Sequence, residues 1–252
     1  MLTSLDRRIV LISLLFLLPI VGGLTTFTLL QVQETSFQSP SNNGYSAPTY
    51  PGGLVEFVQQ SLVTVSCKGS QGSGFSFMLD ETDIDNGYRF AKDDSNGFKS
   101  RLITNAHVIQ DCIAEEEVLI ESADGKSHVA TIEIVDTEND LALLGSPVFI
   151  DGISGLYWKP QPGYWVMGMG SPHKFAGSVT FGNIINLDDE SIFHTASLSP
   201  GNSGGPLVDN EGYLFGVNSG SKPVGQNFNF SISLNSFCEK IVKCKKGFFW
   251  EK

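Results

Sequence analysis

The sequence predicts an all-β protein, a barrel or a sandwich, and three observations carry that expectation. The 252 residues include 27 glycines and 18 phenylalanines but only 17% charged side chains. That balance excludes both a disordered polyelectrolyte and a coiled coil. Short apolar or alternating runs recur along the chain without a helical period between them. Turn signals such as Asp124-Gly125, Ser171-Pro172 and Glu211-Gly212 separate those runs. The formal net charge of −11 argues against a nucleic-acid partner, whose binders are basic; it speaks for solubility and identifies no substrate.

The first element is apolar. Ile9 to Leu30 carries no charge, Arg7 and Arg8 precede it, and Glu34 is the first charge after it. About 20 apolar helical residues span a hydrocarbon core, and the arginine pair keeps the N-terminus cytoplasmic. A cleaved signal peptide would use Ile9 to Val21, with Gly22-Gly23 near the cut. A transmembrane anchor would use the whole run, and the apolar character beyond the glycines favours it. Either reading exports the rest of the chain to a periplasmic or extracellular location, tethered or secreted. The expected organisation is therefore a membrane anchor or signal segment over residues 1–31, a disordered Ser/Pro/Asn/Gly-rich linker over 32–53, and a globular domain over 54–252.

Within that domain, Val55 to Leu62 can open as a short helix. Strands are expected at Leu62–Cys67, Phe75–Leu79, Arg101–Thr104, Val118–Glu121, His128–Val135, Leu141–Leu144, Tyr164–Met169, Ser178–Asn186, Ile192–Thr195, Pro206–Val208, Leu214–Asn218 and Phe228–Ser231. The acidic stretch from Asp80 to Ser100 contains Asn86-Gly87 and Asn96-Gly97 and is read as a solvated hairpin; its carboxylates do not follow EF-hand spacing. Ser236 to Lys245 is read as a closing helix, with Phe237, Ile241 and Val242 near one face.

Three short strings carry chemistry. In Gly201-Asn202-Ser203-Gly204-Gly205-Pro206-Leu207, glycine allows backbone conformations that let successive N–H groups face one concavity beside a serine hydroxyl. In Thr104-Asn105-Ala106-His107, a histidine follows a strand, and a serine needs such a base to become nucleophilic. In Asn139-Asp140-Leu141-Ala142-Leu143-Leu144, an aspartate heads an apolar strand, where it needs a hydrogen-bond partner such as a histidine N–H.

Together with Gly72-Ser73-Gly74-Phe75 and Gly168-Met169-Gly170-Ser171-Pro172, these strings in this order resemble the chymotrypsin-fold serine proteases, most closely the HtrA/Deg type. The resemblance covers roughly Val55 to Val242. It implies two six-stranded antiparallel β-barrels with the site in the cleft between them. It also implies a triad of His107, Asp140 and Ser203, and an oxyanion hole made by the N–H groups of Gly201 and Ser203. The implied activity is an exported or membrane-tethered serine endopeptidase acting on unfolded or damaged polypeptides, with no metal or organic cofactor. A catalytically inactive protease-fold binding module is the alternative. After Leu207 the sequence is expected to hold the last strands and helix, with no PDZ domain. The implied substrate pocket is lined by Ser197, Leu198, Val217, Asn218 and Ser219. These bear no carboxylate, which argues against a Lys/Arg preference, and Leu198 suits a small or medium aliphatic residue. His194 near such a pocket could receive an acidic side chain, although a structural role is the simpler reading. In such a fold Cys67 and Cys112 approach each other and are expected to pair. A Cys238–Cys244 bridge would require the closing helix to end or distort.

Overall fold

The structure is a computed structural model and describes residues 44–244, except 86, 93–96, 156–158, 173–174, 222–227 and 239. The apolar run Ile9 to Leu30 lies outside these residues. No helix among the described residues is long and apolar enough to cross a membrane.

Helix α1 (Pro51–Gln59) opens on a proline, whose fixed φ suits the first helical position. Then come β1 (Leu62–Cys67), β2 (Ser70–Ser76), the short helix α2 (Glu81–Asp85), β3 (Arg89–Phe90), β4 (Ser100–Thr104), β5 (Glu117–Ser122), β6 (Ser127–Asp136) and β7 (Leu141–Ser146). Six of these strands close an antiparallel barrel in the order β1-β2-β4-β7-β6-β5. The second half supplies β8 (Trp165–Gly170), β9 (Ser178–Leu187), β10 (Ser191–His194), β11 (Pro206–Val208), β12 (Leu214–Ser221), β13 (Asn229–Ser233) and the short β14 (Val242–Lys243). Its barrel closes in the order β10-β13-β12-β11-β8-β9.

Closure leaves neither barrel with an open edge. It also explains why some strands read as unbroken apolar runs. All of Leu141 to Leu144 is buried: Ala142 and Leu144 fill the first barrel, while Leu141 and Leu143 join a layer with Met169, Leu207 and Val217 of the second. Leu102 and Ile103 of β4 divide in the same way. Each such aliphatic side chain contributes about 1.5–3 kcal/mol on burial, so this layer holds the two barrels, and the cleft between them, in one geometry.

Four local expectations change. Folded structure reaches upstream of Leu54: the Gly44 carbonyl accepts the Trp165 N–H at 2.8 Å, Tyr45 packs edge-on against Tyr164, and α1 begins at Pro51. Strand β2 runs over Ser70–Ser76 rather than Phe75–Leu79, because its early glycines hide a strand that faces other backbone; a Cβ on Gly74 would stand 3.0 Å from the Ile103 carbonyl. The acidic hairpin is instead α2, capped by reciprocal Asp80 and Asp83 side-chain bonds, followed by β3, which pairs with β14. The closing helix over Ser236–Lys245 is replaced by a 3-10 turn at Leu234–Phe237 and by β14. A Cys238–Cys244 disulfide closes that segment, and a spacing of six is incompatible with one helical face. Cys67 and Cys112 also pair, with Cα atoms 5.8 Å apart.

Candidate active site

His107 stands on a 3-10 turn, Ala106–Val108, directly after β4. Its main-chain N–H donates to Asp140 Oδ1 at 2.9 Å, and its ring Nδ1 lies 2.8 Å from Asp140 Oδ2. A carboxylate only accepts, so this contact puts the imidazole proton on Nδ1 and leaves Nε2 with a lone pair. Ser219 Oγ also donates to Asp140 Oδ2, at 3.1 Å.

Asp140 itself is in the left-handed region at φ 54°, uncommon for a residue with a side chain. Two neighbours hold it there. Asn105, fully buried, donates from Nδ2 to the Asp140 carbonyl at 2.8 Å. Asp136 organises the turn before it, accepting from the N–H groups of Glu138 and Asn139 and from Asn139 Nδ2. Lys240 reaches Asp136 at 2.9 Å. Burial pushes the Asp136 carboxyl up, but the bonds from Asn139 and Lys240 outweigh it and hold the group below 3.8.

Ser203 lies on the loop that joins the pocket wall to β11. Gly204, at φ 87°, has to be glycine: a Cβ there would stand 2.0 Å from the Ser73 carbonyl. Asn202 N–H donates to the Ser199 carbonyl and Gly204 N–H to the Asn218 carbonyl. The N–H groups of Gly201 and Ser203 have no backbone acceptor among the described residues, which leaves two adjacent donors free for an anionic oxygen. Ser203 Oγ donates to the Ser219 carbonyl at 2.9 Å, not to His107. Ser219 thus touches both Ser203 and Asp140. It occupies a register shift in the β12–β13 pairing, between Asn218 and Gly220, the kind of irregularity that re-aims one residue.

Beside Ser203 is a cavity of about 300 Å³ lined by Leu198, Ser199, Pro200, Ser203, Ser219 and Gly220. Of the expected pocket residues, Leu198 and Ser219 line it. Ser197 is exposed, Val217 is in the core, and Asn218 is buried behind the wall, donating to the carbonyls of Met169 and Pro206. Asn229 Oδ1 accepts the Leu198 N–H and steadies the lining. His194 is fully buried, with Nε2 3.0 Å from Ser231 Oγ, and burial pushes its imidazole down to about 4. It is not among the residues lining the cavity, and its burial and its Ser231 contact fit the structural reading. Among the described residues no three His, Cys, Asp or Glu side chains form a group that could hold a metal.

Sequence reasoning gave no role to Asn105, although it stands inside a quoted string, and it assigned Ser219 to the pocket alone. Ser219 is on the second barrel and Asp140 at the head of β7 in the first, so only the fold brings the two together.

The chain matches the family described as trypsin-like peptidase domain over residues 72–217. It is 34% identical over 163 residues to the mitochondrial serine protease HTRA2 of Drosophila persimilis, covering 58% of this chain and 37% of that protein. The same protease of Drosophila willistoni is 33% identical over 163 residues, with the same coverage. The chain therefore spans well under half the length of these curated relatives. Among solved structures, the serine endoprotease from Yersinia pestis superposes with a TM-score of 0.59 at 26% identity, covering 75% of this chain and 64% of that one. The HtrA-type protease AlgW with tripeptide shares the fold with a TM-score of 0.58 at 23% identity, covering 75% and 61%.

Proposed function

The chain belongs to the trypsin-like peptidase family, and on that premise we propose that it is a serine endopeptidase using Ser203, His107 and Asp140. The observation that carries this reading is the pair of hydrogen bonds from His107 to Asp140, one from the ring and one from the backbone, beside a loop with two N–H groups that have no backbone acceptor among the described residues. In the proposed cycle a bound peptide draws the Ser203 hydroxyl from the Ser219 carbonyl to His107 Nε2. His107 takes the proton as Ser203 Oγ attacks the peptide carbonyl. Asp140 keeps the ring oriented and stabilises the imidazolium. The N–H groups of Gly201 and Ser203 receive the oxyanion, each worth on the order of 3 kcal/mol. His107 then protonates the leaving amine, and water resolves the acyl-enzyme by the same steps in reverse.

Unfolded or damaged polypeptides are the proposed substrates, with a small or medium aliphatic side chain in the cavity beside Leu198. The proposed site of action is outside the cytoplasmic membrane, with Ile9 to Leu30 as tether. The charge pattern around that run supports this, as do the two disulfides, which suit an oxidising compartment. Protease accessibility of the folded domain in intact cells tests the topology; a protected, cytoplasmic domain overturns it.

One observation favours a second reading, a protease-fold binding module: the Ser203 hydroxyl is bonded to Ser219 and not to His107. Fluorophosphonate labelling decides between them. The enzyme labels at Ser203 and hydrolyses casein, and Ser203→Ala abolishes both while keeping the fold. A folded wild-type protein that neither labels nor cleaves is the binding module.

A further inference from the structure

A glycine-rich loop permits the backbone geometry of an oxyanion site but does not enforce it. Gly201, at φ 102°, has little intrinsic preference for that conformation over others. Something outside the loop has to hold it.

We propose that Ser73, on the opposite barrel, is a positioning residue whose hydroxyl fixes the loop carrying Gly201 and Ser203 and thereby aims its two free N–H groups. The proposal rests on the reading of those groups as oxyanion donors.

Ser73 belongs to β2 and is fully buried. Its Oγ donates to the Gly201 carbonyl at 2.7 Å, and its main-chain N–H donates to the Ser203 carbonyl at 2.8 Å. One residue of the first barrel thus grips two carbonyls of the second, two positions apart and flanking Asn202. The grip is anchored on both sides: Ser73 Oγ accepts the Ser171 N–H at 2.8 Å, and its carbonyl accepts Thr104 Oγ1–H at 2.7 Å. The Ser73 hydroxyl therefore uses its single proton on Gly201 and a lone pair on Ser171.

Peptide planarity turns these contacts into control of the loop. A carbonyl and the following N–H belong to one rigid plane. Ser73 holds the Gly201 carbonyl while the Asn202 N–H of the same plane is held by Ser199. Ser73 also holds the Ser203 carbonyl while the Gly204 N–H of that plane is held by Asn218. Both planes are pinned at each end. The peptide between them, which carries the Ser203 N–H, has its Asn202 carbonyl held by the Gly205 N–H at 3.0 Å, and its remaining freedom is bounded by the two fixed planes. The Gly201 N–H belongs to the preceding peptide, which only the φ and ψ of Gly201 separate from the first pinned plane. There is little slack around the brace, since a Cβ on Gly170 would stand 2.9 Å from Ser73 Oγ.

Ser73→Ala leaves the Gly201 carbonyl without its clamp. A complete missing oxyanion donor costs about 100- to 1000-fold in kcat; two misaimed donors that can still be reached lose roughly 10- to 100-fold. The experiment compares wild type, Ser73→Ala and Ser76→Ala on one peptide ester, measuring kcat, KM and affinity for a peptide boronate that forms a tetrahedral adduct. The expected result for Ser73→Ala is a loss of kcat matched by an equal loss of boronate affinity, with KM within about threefold, because only the tetrahedral state needs the aimed donors. Amide exchange at residues 201–204 is expected to quicken in the same variant. Ser76→Ala removes a buried hydroxyl of the same strand, bonded at 3.0 Å to the Ile150 carbonyl and away from the loop, so it is expected to lower stability and keep kcat. If Ser73→Ala does not fold, Ser73→Cys, of similar shape with a weaker donor, carries the same comparison. A folded Ser73 variant that keeps kcat, or that weakens KM and boronate affinity equally, overturns the inference while the wild-type enzyme stands. Failure of the wild type to label with fluorophosphonate overturns the catalytic reading and this inference together.

Discussion

Asn105 Nδ2 donates to the main-chain carbonyl of Asp140 at 2.8 Å, while Asp140 accepts from His107, two residues along from Asn105. The two segments form a closed ring in which one holds the other's backbone and is held by its carboxylate. Asn105→Ala frees a left-handed aspartate and leaves a buried carbonyl without its donor, at about 1–3 kcal/mol. The expected outcome is a lower urea midpoint together with reduced kcat, since Asp140 no longer fixes the imidazole. Unchanged kcat in a destabilised variant would show that His107 alone suffices to hold Asp140.

The two disulfides are expected to differ in worth. Cys67–Cys112 closes 45 residues and ties the end of β1 to the segment after His107, whereas Cys238–Cys244 closes only six. Loop entropy assigns about 4 kcal/mol to the first and about 2 kcal/mol to the second. Urea denaturation of the paired serine variants measures both, and equal losses would contradict the loop-length account.

The cavity walls point to a third outcome. Leu198, held through its N–H by Asn229, reaches a space of about 300 Å³ without a carboxylate among its described lining residues. Cleavage-site mapping on a peptide library is expected to return small or medium aliphatic residues before the scissile bond. Leu198→Ala is expected to shift preference toward larger apolar residues by roughly 10-fold, the worth of one or two methylenes in a closed pocket. A Lys or Arg preference in the wild type would sink this assignment.

The strands were legible where one physical signal dominated. Leu141 to Leu144 announced itself because both of its faces are buried, and β5 because Val118 and Ile120 alternate with exposed neighbours. The start of β2 was hidden, since Gly72 and Gly74 are there for close backbone approach and carry no apolar pattern. The closing segment misled for a different reason. Phe237, Ile241 and Val242 are all buried, but a disulfide and the pairing of β14 with β3 override the helical spacing. At the site, His107, Asp140 and Ser203 stood out through their neighbours. The residues that brace them, Ser73, Asn105 and Ser219, act through backbone carbonyls and a strand irregularity, which leave little trace in residue type.

Two buried ionisable groups of the second barrel impose opposite pH dependences on stability. Burial pushes His194 down to about 4 from an ordinary 6.5. Its unfolded form therefore takes up a proton first as the solution is acidified, and stability is lost as pH falls from 6.5 toward 4. Burial pushes Asp209 up to about 6 from an ordinary 3.8, against the bonds it accepts from the N–H groups of Glu211 and Tyr213. Its folded form keeps a proton that the unfolded chain has released, so stability is lost as pH rises from 3.8 toward 6. Each effect amounts to roughly 3 kcal/mol over its window, and between about pH 4 and 6 they oppose each other. Compared with wild type at each pH, His194→Gln removes the first and leaves stability falling as pH rises through that interval. Asp209→Asn removes the second and leaves stability falling as pH drops. Urea midpoints at pH 4, 5, 6 and 7 read both slopes, and the same slope in the two variants would mean that at least one of these groups titrates normally in the folded protein.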